Sequence, residues 1–159
     1  MTHAFETYSG GLSGLPDPDR DRQFYEGVPG RRLAAWFVDL GVALLIGLPL
    51  ALAFGVLTLG FGFVLFFFIL AGVDFLYRVT TIASGSATWG MRLMGIELRR
   101  NDGTRFDLVS AFLHTALYVF CWGFLVLQAA SVVGMLGTRH GQGLPDLILR
   151  SAMINRPAD

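Results

Sequence analysis

The sequence predicts an all-α integral membrane protein with three transmembrane helices and a short cytoplasmic hairpin loop. Three observations carry that prediction. The 159 residues are 53% hydrophobic and only 15% charged, against about 25% charged in a typical soluble domain. Between Arg32 and Arg78 the ionisable side chains are Asp39, Asp74 and Tyr77 alone, and between Asp107 and Arg139 only His114, Tyr118 and Cys121. Crossing a bilayer takes about 20 apolar residues, so the first gap has room for two spans and the second for one. A soluble core would break such runs with polar turns.

Residues 1–30 are polar and rich in Gly, Ser, Pro, Asp and Arg, as in HAFETYSGGLSGLPDPDRDRQF. That composition reads as a disordered tail, and no secretory signal pattern precedes the first span. Residues 31–156 form the transmembrane domain. Its first span is placed at about residues 34–56, with Gly47 and Pro49 marking a local kink. The uncharged junction GVLTLGFG makes a tight turn into a second span at about residues 60–77. In the following segment, MRLMGIELRRNDGTRF, apolar and polar positions alternate before an Asp102–Gly103 turn signal, the pattern of a short β-hairpin. The third apolar run, at about 109–136, is read as a single tilted span. The alternative is a re-entrant hairpin of two half-depth helices meeting near Trp122–Gly123, which makes four membrane helices. Near the end, DLILRSAMI reads as an interfacial helix in which Asp146 and Arg150, four apart, can pair.

Arginine placement sets the orientation. Arg31 and Arg32 flank the first span, and Arg78, Arg92, Arg99, Arg100 and Arg105 follow the second. The positive-inside rule therefore puts the N-terminus and the connecting segment in the cytoplasm of a bacterial cell, in a multi-pass inner-membrane protein. A single third span leaves the tail, with Arg139, Arg150 and Arg156, outside; a hairpin returns it inside.

The spans contain carboxylates, and these are the candidate functional residues. Asp39 stands seven residues past Arg32, about 10 Å along a helix, below the head groups. An ionisable residue at that depth marks a functional site or a specific pair. Arg32, Ala35 and Asp39 share a helix face. Asp74 precedes Arg78 by four residues at a similar depth on the returning helix. Asp39 and Asp74 are expected to face each other, with Arg32 and Arg78 as snorkelling counterions. Such a cluster is either an Arg–Asp packing lock or a proton or cation relay, because adjacent carboxylates alter each other's ionisation. His114 can join it, though a lone buried histidine is more often simply hydrogen-bonded. Cys121 reads as a small buried hydrophobe and the three tryptophans as interface anchors.

No phosphate-cradling glycine loop, metal-ligand spacing or CxxC pair is present. No enzymatic activity, cofactor or metal is expected, and no nucleic-acid partner. The expected partners are the lipid bilayer and either a second copy of the chain or another membrane protein.

These residues resemble the RDD family of bacterial membrane proteins, named for one arginine and two aspartates. RLAAWFVD supplies the arginine and first aspartate as Arg32 and Asp39. SATWGMRLMGIEL followed by NDG is similar to the family's segment GQTPGKRLLGLRV, matching it at Thr88, Gly90, Arg92, Leu93 and Gly95. LPD supplies the last aspartate as Asp146. Trp89, Met91 and Pro145 stand where the family has proline, lysine and histidine; Asp74 is an addition. The resemblance covers roughly residues 28–156. It implies a membrane location and a polar cluster of Arg32, Asp39, Arg92 and Asp146, to which helix geometry adds Asp74 and Arg78. It also implies transport of an unidentified ligand, some members resembling cation/proton antiporters. A transporter requires a water-accessible cavity reaching Asp39, and with so few spans an oligomer; a scaffold requires Asp39 sealed in an ion pair.

Overall fold

The computed structural model describes residues 14–157. The part of the expected tail before Gly14 lies outside the described residues. From Gly14 onward the chain forms turns and a 3-10 turn at Arg22–Phe24, and the Gly14 amide donates to the Asn101 carbonyl at 2.8 Å. Helix α1 runs Val28–Leu57 without interruption through Pro49. Its 30 residues extend about 45 Å, longer than the roughly 30 Å hydrocarbon core.

One face of α1 is built from Ala35, Asp39, Ala43, Gly47, Ala51 and Gly55, all buried. The four-residue spacing makes a ridge of small side chains, which lets another helix backbone approach closely. Helix α2, Phe66–Gly85, fills that ridge: a Cβ at Gly47 would stand 2.9 Å from Leu70 Cδ2. The two helices are joined by Thr58–Gly60, where Leu59 and Gly60 take positive φ, and a 3-10 turn at Phe61–Leu65. Around them Leu45, Leu57, Phe61, Phe67 and Phe68 are exposed, a surface suited to lipid rather than water. Both α1 and α2 are long and apolar enough to cross a membrane.

The second helix runs eight residues beyond its expected end at about Tyr77. Arg78 does not terminate it, because that guanidinium is buried and paired within the bundle. Ser86, in the left-handed region, closes α2, and its side-chain oxygen accepts from the Phe106 amide at 2.6 Å. Thr88 then caps the short helix α3, Trp89–Leu93.

Strand β1, Ile96–Arg100, follows, and the chain turns at Asp102–Gly103 as the sequence expects. The return arm contributes only a single bridge, Arg99 to Arg105. The full partner of β1 is instead β2, Ser151–Asn155, in antiparallel register with Leu98 opposite Met153. A local hairpin leaves Ile96 and Leu98 without an apolar partner row; the C-terminal AMI segment supplies one.

The third apolar run is two helices with a sharp bend between them rather than one straight helix. Helix α4, Leu108–Trp122, and α5, Leu125–Gly137, meet at a bend of 118°. Gly123 and Phe124 break the helix where the alternative reading placed it. Helix α6, Leu144–Leu149, packs on α4 and leads directly into β2, so both ends of the broken run lie at the end of the bundle that holds the ribbon. Arg150 ends α6 in the left-handed region, which removes the expected Asp146–Arg150 helical pair. The hydrophobic core of Val28, Ala35, Ile82, Met91, Ile96, Leu98 and Met153 also sits at that end, where helix ends and ribbon must seal each other from water.

Candidate functional site

The polar side chains inside the bundle form two networks, divided differently from the sequence expectation. The first centres on Asp39, 1% exposed. Its Oδ1 accepts from the Tyr77 hydroxyl at 2.6 Å and from the Gly90 amide at 2.9 Å. Its Oδ2 accepts from the Thr88 hydroxyl at 2.7 Å and faces Arg78 Nη1 at 3.8 Å. The α2–α3 connection is thus wrapped around one carboxylate, and Thr88 both donates to it and caps α3 through the Met91 amide. Gly90 is required for that approach, since a Cβ there would run into the Ala35 carbonyl oxygen and stand 2.7 Å from Asp39 Oδ1.

Asp74 joins this network through Arg78, whose Nε lies 3.1 and 3.0 Å from its two oxygens. The two carboxylates therefore do share a cation, as the helical spacing suggests. Arg78 also lies 4.7 Å over the Tyr118 ring, a cation–π contact. Tyr118 accepts from Trp36 Nε1 at 2.9 Å, and Trp36 stacks on Trp122 at 5.7 Å.

Arg32 does not pair with Asp39. It reaches Asp146 instead, Nη2 to Oδ2 at 2.7 Å, and donates through Nη1 to the Gly141 carbonyl at 3.0 Å. The cause lies on α1 itself: Asp39 faces α2 and α3, while the long Arg32 side chain extends toward α6. Asp146, fully buried, also accepts from the Gly143 amide at 3.1 Å and lies 2.8 Å from His114 Nε2. Burial drives the Asp146 carboxyl up, but the Arg32 charge and the His114 contact overcome it and hold it below the usual carboxylate range. Pro145 lacks the family's imidazole, and α4 brings one to the same aspartate through His114.

Arg92 belongs to neither network. Its guanidinium donates to the carbonyls of Ala87 and Thr81 and to Ser84 Oγ, tying the last turn of α2 to the segment that leads into α3. Tyr77, Thr88 and Glu97 were missed as buried polar residues. Tyr77 is visible as a titratable group in an apolar run, and Thr88 as a matched family position. Glu97, 1% exposed and paired with Arg99, gives no sequence signal beyond strand alternation, which suggests a solvated face.

A cavity of about 570 Å³ lies among α1, α2, α4 and α5, and both networks reach its wall through Asp39, Arg78, Arg32 and His114. The rest of the lining is largely apolar and aromatic, including Leu33, Trp36 and Trp122. A larger open cleft of about 790 Å³ is bordered by Asp19, Tyr25 and Arg139, none of which belongs to either network. Among the described residues no group of three His, Cys, Asp or Glu side chains is placed to hold a metal ion.

A protein-family model described as "RDD family" matches residues 27–150. No curated protein and no solved structure matches the chain.

Proposed function

The chain belongs to the RDD family, and from that premise we propose that it is a small transport component of the bacterial inner membrane, handling a proton, a cation or a small ligand through the Arg32–His114–Asp146 triad. The observation that carries this reading is the cavity whose wall includes Arg32, His114 and Asp39. In the first network Asp39 and the partly exposed Asp74 share the guanidinium of Arg78. In the second, Arg32 balances Asp146, with His114 beside the pair at the cavity wall. Asp39 is the fixed part, held by three hydrogen bonds and facing Arg78; the triad, with Arg32 and His114 at the cavity wall, is the working part.

The arginines beside α1 and α2 orient the ribbon end toward the cytoplasm, and the broken α4–α5 run enters the bilayer and returns. Limbs of 15 and 13 residues extend only about 20 Å each, too little to cross. So few spans enclose no complete path, and a homo-oligomer or a partner subunit completes it. The scaffold reading draws its support from the sealed Asp39, which looks like a packing lock.

Purified protein in liposomes loaded with a pH-sensitive dye, challenged with sodium or potassium gradients, decides between the two. Transport requires cation-dependent proton movement above that of empty liposomes, lost in a folded His114→Gln variant. No flux in the wild type, with loss of folding on removal of either charge, leaves the scaffold.

A further inference from the structure

We infer that the cavity binds an uncharged, lipid-soluble molecule with a long apolar body and a hydroxyl or carbonyl head seated at Thr115. This rests on the cavity being the working site, and it names the chemistry of the occupant. The key residue is Thr115 on α4. It is 1% exposed and lines the cavity, and its hydroxyl oxygen has no hydrogen-bond partner. Thr80, Thr81 and Ser84 on α2 all satisfy their hydroxyls on carbonyls of their own helix. Thr115 does not, and a buried polar group left unmatched is costly. A ligand head group supplies the missing partner. Gln128 of α5 lines the same cavity and offers an amide with both donor and acceptor capacity.

The charges select against ionic heads. Arg32 is paired with Asp146 and Arg78 with Asp74 and Asp39, so among the described residues the wall offers no free carboxylate to hold a cationic head group. An anion meets Asp39 on the wall and, behind the arginines, Asp146 and Asp74, which already occupy those guanidiniums. A hydroxyl or carbonyl compound encounters neither penalty. Entry is lateral: the lining residues Leu33 on α1 and Leu136 on α5 are 60% and 73% exposed, so the cavity opens to the outer surface in a fissure between these two helices. An apolar body reaches the cavity from the bilayer through this fissure. A volume of about 570 Å³ falls within the range of ordinary small-molecule sites, roughly 300–1,000 Å³.

The test uses the full chain in lipid nanodiscs with a diazirine-bearing long-chain alcohol. A carboxylic acid and an amine of equal chain length serve as competitors. The proposal requires adducts on α4 and α5 residues of the cavity wall, and slower maleimide alkylation of the buried Cys121, which also lines it. The uncharged alcohol must compete better than either ion. Thr115→Val weakens labelling by about fivefold, the worth of one hydrogen bond, while Val132→Trp at the fissure abolishes it; both variants must retain wild-type helicity. The inference is overturned by adducts confined to the outer faces of α1 and α2, by equal competition from acid or amine, or by undiminished labelling of Thr115→Val. Labelling needs no ion gradient and flux needs no alcohol, so failure here is distinguishable from failure of the transport reading.

Discussion

Replacing Asp39 by asparagine separates a sealed lock from a mobile carboxylate. The amide oxygen can keep the Tyr77 and Gly90 donors at 2.6 and 2.9 Å. The amide NH₂ then lies where Oδ2 accepts from Thr88 at 2.7 Å and faces Arg78 Nη1 at 3.8 Å. Donor meets donor on the Arg78 side. Thr88 must turn its hydroxyl to accept, which leaves its proton without a partner. A hydrogen bond to a charged group contributes about 1.5–3 kcal/mol, and breaking a buried ion pair costs about 3–5 kcal/mol. Arg78 retains Asp74, so the lower part of that range, about 3 kcal/mol, is expected. Equilibrium unfolding in mixed detergent micelles, followed by tryptophan fluorescence, measures it. Thr88→Val, alone and combined with Asp39→Asn, gives the Asp39–Thr88 coupling through a double-mutant cycle, expected at about 1.5–3 kcal/mol. An Asp39→Asn protein within about 0.5 kcal/mol of wild type, with no coupling to Thr88, refutes the reading of Asp39 as the centre of the α1–α2–α3 junction.

Gly90→Ala drives a methyl against the Ala35 backbone carbonyl and Asp39 Oδ1 and is expected to destabilise by about 1–3 kcal/mol. Gly72→Ala on α2, where nothing lies within 4 Å, gains up to about 1 kcal/mol; the same unfolding assay compares them. Asp146 has a lowered folded-state pKa, so its contribution is fully present above the unfolded carboxylate value of about 3.9 and is lost as pH falls through the folded value. Asp146→Asn therefore loses most stability relative to wild type at neutral pH, and the gap narrows in strong acid, as parallel unfolding curves across pH report. Glu97→Gln removes the charge held by Arg99 on β1 and is expected to accelerate amide exchange at Arg99 and Ala152, paired across the ribbon, with α1 and α2 unchanged; equal acceleration in the helices contradicts it.

The charge-poor runs made the two long helices legible, because a bilayer leaves a chain little choice but to hide its backbone in helices of sufficient length. The cluster members were legible for a related reason: a carboxylate within such a run needs a partner. The second helix was ended too early because sequence treats Arg78 as a solvated charge, whereas burial against Asp74, Asp39 and Tyr118 lets the helix continue. Glu97 was invisible because its alternating strand looks half-solvated until β2 and the arginines cover it.

The sequence by itself determined the membrane class, the family resemblance, the two long helices and the polar residues that had to be satisfied within them. Local spacing also correctly assigned Asp74 to Arg78, since four residues on one helix leave the pair adjacent in any packing. Only the tertiary structure decided the other partners: Arg32 with Asp146 rather than Asp39, β1 with β2 rather than with its own return arm, and His114 with an aspartate 32 residues further along. Those choices depend on which helix faces meet. A helical period fixes what shares a face, but not what stands opposite it.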